Sequence, residues 1–166
     1  MKKLVMTLVA ALMACTVNVK AESATPSEIY EQVLKGVEVL QSLGEEGLPA
    51  FNDPKGEFAW KDTYVQVYNC EAQQIVGHVN PSLLEWTPEK FAAVEDKKGN
   101  HITKIICEAA KNPNGAWVEY WWPKPGETEA SRKITFAIQV PGFPYQVSSG
   151  IYDEAMSLEQ LGKINN

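Results

Sequence analysis

GAWVEYWWPKPGETEASRKITFAIQVPGFPYQVSSGIYDE, residues 115–154, reads as three consecutive strands. From Arg132 to Val140 the chain alternates: Ile134, Phe136, Ile138 and Val140 lie on one face, Lys133, Thr135, Ala137 and Gln139 on the other. Ala116–Trp122 forms the strand before it, and Pro123-Lys124-Pro125-Gly126 heads the connecting loop. Pro141-Gly142-Phe143-Pro144 then turns the chain into the last strand, Tyr145–Tyr152. One point stays open at this level. Tyr120 and Trp122 share a face with Val118, whereas Trp117, Glu119 and Trp121 share the other, and a one-residue slip in pairing exchanges the two sets.

Upstream, the period is again two from Thr63, where Tyr64, Gln66 and Tyr68 alternate with Val65 and Val67. Asn69-Cys70-Glu71-Ala72 turns the chain, and Gln74–Val79 runs back as a second strand that ends in Gly77-His78-Val79-Asn80-Pro81. Residues 82–98 carry irregular apolar positions and predict a cover with short helical pieces. His101–Lys111 predicts a short amphipathic helix bearing Cys107, stopped by Asn112-Pro113-Asn114-Gly115. Before all of these, Thr25-Pro26-Ser27 opens a helix with Ser27 as its cap and Ile29, Val33, Val37 and Leu40 as its apolar stripe. The expectation is one α+β domain: a five-stranded antiparallel sheet, a long N-terminal helix, and helical cover between strands two and three.

The composition, 45% hydrophobic and 22% charged over 166 residues, is that of a folded protein. Met1-Lys2-Lys3 followed by the apolar run of residues 4–14 has the layout of a secretory signal peptide and is too short to span a bilayer. Val19-Lys20-Ala21 favours cleavage before Glu22, so residues 1–21 are expected to be removed and 22–166 to form the domain. Leu12-Met13-Ala14-Cys15 offers the other reading, a lipoprotein lipidated and tethered to the membrane at Cys15. Without residues 1–21 the chain has 12 basic and 21 acidic residues, a balance of −9. That field disfavours nucleic acid and anionic membrane surfaces as partners, while leaving a small anion held by local cations possible.

Export also bears on the cysteines. Cys70 and Cys107 are an even pair in a compartment that permits disulfides, and the expectation is a bridge rather than two separate buried thiols. Closing 36 intervening residues contributes about 3–4 kcal/mol in the chain-entropy picture. No CxxCH or CxxC occurs.

These features together resemble the single Cache domains, extracytoplasmic PAS-like sensor modules of bacteria. Residues 115–154 are similar to the family's C-terminal half, with a glycine, an aromatic-tyrosine strand, a PKPG hairpin, a lysine opening the next strand and a closing GIY followed by acidic residues. DTYVQVYNCEAQQIVGHVNP, residues 62–81, resembles the paired first strands with a histidine before proline, and KKGNHITKIICEAAKNPNG the bridging helix. The chain departs at Asn69 and Ala72, where the family usually has Asp and Gly, and lacks a usual glycine near Leu84; both lie in connecting segments. The resemblance implies a PAS-like fold, a small-ligand pocket on one sheet face roofed by the segment between strands two and three, and no enzymatic activity.

It also implies site residues. His78 and Lys133 match the family histidine and lysine, a hydrogen-bond donor and a point charge for a short carboxylate. Tyr120 is placed inside, with a phenolic hydrogen bond, and Trp122 as an apolar wall. Trp60 and Tyr64 are further candidates. The bland readings are a structural histidine, a lysine on a solvated sheet face and tryptophans used only in packing. Neither a cofactor nor a metal is expected: His78 and His101 show no ligand spacing with carboxylates, and no GxSxG, P-loop or EF-hand pattern occurs. The expected function is periplasmic capture of a small organic anion and its presentation to a separate membrane receptor or transporter. The alternative is an assembly module that keeps the fold with no ligand pocket.

Overall fold

The computed structural model describes residues 22–124 and 126–165. The expectations on the signal peptide and on Cys15 lie outside the described residues. α1 spans Pro26–Leu43. Its cap is Thr25, not Ser27: Pro26 occupies the first helical position, where no N–H is needed, and the Thr25 hydroxyl and the Glu28 carboxylate bond reciprocally to each other's backbone N–H. Ile29, Val33, Val37 and Leu40 are buried, as their spacing predicts. Gly36 sits on the same face, and a Cβ there would come within 3.0 Å of Val147 and 3.1 Å of Phe51, so this glycine sets how closely the helix approaches the sheet. A 3₁₀ segment, Gly44–Phe51, follows.

The strands are β1 (Ala59–Trp60), β2 (Thr63–Asn69), β3 (Gln74–Gly77), β4 (Ala116–Pro123), β5 (Ala130–Gln139) and β6 (Gln146–Tyr152). Five match the expected strands; β1 adds a two-residue edge. The sheet is antiparallel in the order β1-β2-β6-β5-β4, with β3 sharing the outer edge of β2. Between β3 and β4 run α2 (Pro81–Leu84), α3 (Pro88–Ala93) and α4 (Ile102–Ala110), the expected cover, and α5 (Leu158–Leu161) closes the chain.

Two apolar clusters lie on opposite faces of the sheet. One joins α1 to Val65, Val67, Trp117, Ile134, Phe136, Val147 and Ile151. The other joins α3 and α4 to Tyr68, Ile75, Tyr120 and Ala137. Cys70 and Cys107 are bonded, with Cα atoms 5.9 Å apart, and staple the end of β2 to α4. Among the described residues no helix is long and apolar enough to cross a membrane.

Candidate functional site

Strand register settles which face the sequence left open. Tyr120 pairs with Lys133, and Lys133 with Tyr152, so these three side chains form a row across β4, β5 and β6 on the face away from α1. Tyr64, Gln66 and Tyr68 of β2 reach the same face. Thr135 follows Lys133 by two residues and pairs with Gly150. A Cβ at Gly150 would lie 2.4 Å from the Thr135 hydroxyl, so glycine is required for the threonine to sit there.

Lys133 is 1% exposed. Its ammonium donates to the Tyr64 hydroxyl at 3.3 Å and lies 4.4 Å and 5.1 Å from the centres of the Tyr64 and Tyr152 rings. Among the described residues no carboxylate stands within ion-pair distance of it. Asp62, the nearest acidic influence, instead accepts the backbone N–H of Ala24. Burial therefore pushes the Lys133 pKa down. The ring faces offset part of the desolvation, but a buried ammonium with one neutral acceptor is far from satisfied.

His78 is held from both sides. Its backbone N–H donates to Asn52 Oδ1 at 2.9 Å, and its Nδ1 accepts the backbone N–H of Asn80 at 2.8 Å. Nδ1 is therefore unprotonated and Nε2 carries the hydrogen, yet Nε2 is buried with no partner. Burial, together with the Lys133 charge, lowers the pKa to about 3, so the imidazole is neutral at ordinary pH. Tyr120, 2% exposed, accepts a hydrogen bond from the Thr135 hydroxyl at 3.0 Å, and its own pKa is raised by burial.

These groups line one cavity of about 30 Å³, above the roughly 10–15 Å³ that a single water occupies. Its floor is polar, formed by Lys133, Tyr64, His78, Tyr120 and Gln66; its roof is apolar, formed by Leu83, Trp86, Val94 and Ile102. Tyr64, His78, Leu83 and Trp122 also line a cleft of about 390 Å³ that lies against it. A larger cleft, about 660 Å³, opens beside the disulfide, but Gln139 and Gln146 on its wall hydrogen bond to each other at 2.6 Å. Unmet donors, rather than volume, single out the smaller space. Among the described residues no group of three or more His, Cys, Asp or Glu side chains is placed to hold a metal ion.

Of the six residues singled out in the sequence, five line this cavity: His78, Tyr120, Trp122, Lys133 and Tyr64. Trp60 does not. It pairs with Thr63, on the face opposite Tyr64, and packs against the α1-side cluster. Gln66 and Tyr68 are lining residues that the sequence reading did not select, although counting in twos from Tyr64 reaches both. Thr135 carried no signal, since a threonine in a strand is ordinary. Arg132, adjacent to Lys133, faces the other way and pairs with Glu119 while donating to the Asp153 and Met156 carbonyls.

The family model "Single Cache domain 2" matches residues 1–164. No curated protein matches. Among solved structures, a methyl-accepting chemotaxis protein from Vibrio parahaemolyticus superposes with a TM-score of 0.59 at 17% identity, covering 75% of this chain and 86% of that one. The periplasmic sensor domain of a chemotaxis protein gives 0.57 at 23% identity, covering 75% and 90%. A Cache chemosensory domain described for its carboxylic acid recognition gives 0.51 at 16%, covering 75% and 86%.

Proposed function

The chain belongs to the Single Cache domain 2 family, whose members are extracytoplasmic sensor domains, typically ligand-binding and non-catalytic, and within it we propose that this protein binds a small organic anion with a carboxylate head. The carboxylate sits against the Lys133 ammonium, with hydrogen bonds from His78 Nε2–H and the Tyr120 hydroxyl. A short apolar tail lies against Leu83, Trp86 and Trp122.

The observation that carries this reading is a fully buried ammonium without a counter-charge, facing a cavity that also holds an unpartnered imidazole N–H. An anion supplies what both groups lack. The cavity admits only a few heavy atoms without movement of its walls, which favours ligands of acetate or propionate size. That a domain of the same fold is described as recognising carboxylic acids supports the chemical class. The space beside Lys133 argues against an assembly module with a filled pocket.

Thermal unfolding in the presence of acetate, propionate, lactate, short amines and amino acids tests the reading. At about 100 times its Kd a ligand adds about 2.7 kcal/mol of stability, which raises Tm by several degrees in a domain of this size. The shift is expected with short carboxylates and not with amines, and Lys133→Ala is expected to abolish it. A shift that survives in the Lys133 variant sinks the assignment.

A further inference from the structure

Three hydrogen bonds are accepted by groups on the floor of the cavity, and each decides what its acceptor can still offer. Thr135 Oγ1 donates to the Tyr120 hydroxyl at 3.0 Å, Lys133 Nζ to the Tyr64 hydroxyl at 3.3 Å, and the Asn80 backbone N–H to His78 Nδ1 at 2.8 Å. A phenol or imidazole that accepts in this way keeps its own proton for another partner. For His78 that proton is on the buried, unpartnered Nε2. The Gln66 amide is the other polar group on the floor and is itself buried.

Resting on the anion-binding reading above, we infer that Thr135 is a positioning residue that turns the Tyr120 hydroxyl into the cavity, completing a floor of donors that accepts a deprotonated carboxylate and rejects the uncharged carboxamide of the same shape. An amide would set its NH₂ against the Lys133 ammonium and the His78 Nε2–H, neither of which can accept, leaving buried N–H groups face to face. Thr135 is itself wholly buried and touches the ligand only through Tyr120. Its hydroxyl has a place because Gly150, its cross-strand neighbour, lacks a Cβ. Burial pushes the Tyr64 phenol up to about 12 and raises that of Tyr120, so both stay protonated and remain donors.

Calorimetric titration with propionate and with propionamide tests this, using the wild type, Thr135→Val, Thr135→Ser, Tyr120→Phe and the Thr135→Val/Tyr120→Phe double variant. The wild type is expected to bind propionate and to bind propionamide at least about 100-fold more weakly. Thr135→Val, which keeps the shape and loses the hydroxyl, is expected to weaken propionate about tenfold or more, as for a lost hydrogen bond to a charged group. Thr135→Ser should restore binding to within about threefold, and Thr135→Val should add little once Tyr120 is phenylalanine. Should Thr135→Val fail to fold, Thr135→Ala carries the same comparison. Equal binding of acid and amide by the wild type overturns the donor floor. Unchanged propionate affinity in the threonine variants, or fully additive losses in the double variant, overturns the positioning role alone. A wild type that binds no carboxylate removes the anion reading and this inference with it.

Discussion

A buried lysine without a counter-ion is a standing cost to the ligand-free protein. Lys133→Met keeps the length of the side chain and removes the charge, so the free protein is expected to gain about 1–2 kcal/mol while losing its response to carboxylates. Denaturant unfolding with and without acetate checks both halves, and a destabilised methionine variant contradicts the account of Lys133 as uncompensated. His78 makes a prediction of its own. Its folded pKa, about 3, lies below the ordinary value of 6.5, so the unfolded chain takes up the proton first. The contribution of neutral His78 is thus complete above about pH 6.5, declines as pH falls toward 3, and by pH 4 amounts to a loss of about 3 kcal/mol. Unfolding at pH 7 and pH 4 is expected to show this loss in the wild type and a smaller one in His78→Gln. At this scale Lys133 and His78 were legible as candidates because they match the lysine and histidine of the family that the sequence resembles; residue type and strand position alone left a solvated lysine and a structural histidine open. Their partnerless state was not, since it depends on what fails to approach them from segments tens of residues away.

The elements that close the cavity are tied to the sheet at identifiable points. Asp96, in the loop before α4, accepts hydrogen bonds from the backbone N–H groups of Lys98 and Asn100, from the Asn100 side chain, and from the backbone N–H of Trp121 on the edge strand β4. Burial opposes its ionisation, but these bonds outweigh burial and hold the carboxyl below its usual range. Asp96→Ala is expected to cost about 2–3 kcal/mol and to expose the Trp121 amide to solvent exchange, which hydrogen-exchange measurements at that residue would detect. On the other side of the cover, the Cys70–Cys107 bond anchors α4, whose Ile102 and Thr103 line the cavity. Reduction is expected to lower stability by about 3–4 kcal/mol and to weaken carboxylate binding in the same preparation. Period-two and period-3.6 patterns made these elements readable in the chain, as did the cysteine pair. The Asp96 anchor was not, because an aspartate in a loop is common and its partner on β4 is 25 residues away.

The whole domain works against its proposed ligand. Residues 22–166 carry −9, so the long-range field repels anions while Lys133 attracts them only at short range. Salt screens the first effect more than the second, since a buried charge is poorly screened. The association rate for propionate, followed by tryptophan fluorescence, is therefore expected to rise modestly between about 20 and 200 mM of a salt with a bulky anion, and a steep fall would point to an exposed cationic site instead. Sequence by itself determined the strands, the α1 stripe, the covering segment between β3 and β4, and the two cysteines that meet. All of these follow from local periodicity, turn chemistry and composition, which neighbouring residues carry. Only the tertiary structure decided that Tyr120 faces Lys133, that Trp60 turns to the α1 side, that Gly150 makes room for Thr135, and that no carboxylate reaches the buried ammonium. Each of these depends on strand register and on packing between distant segments, where a shift of one residue reverses the outcome without changing any local pattern.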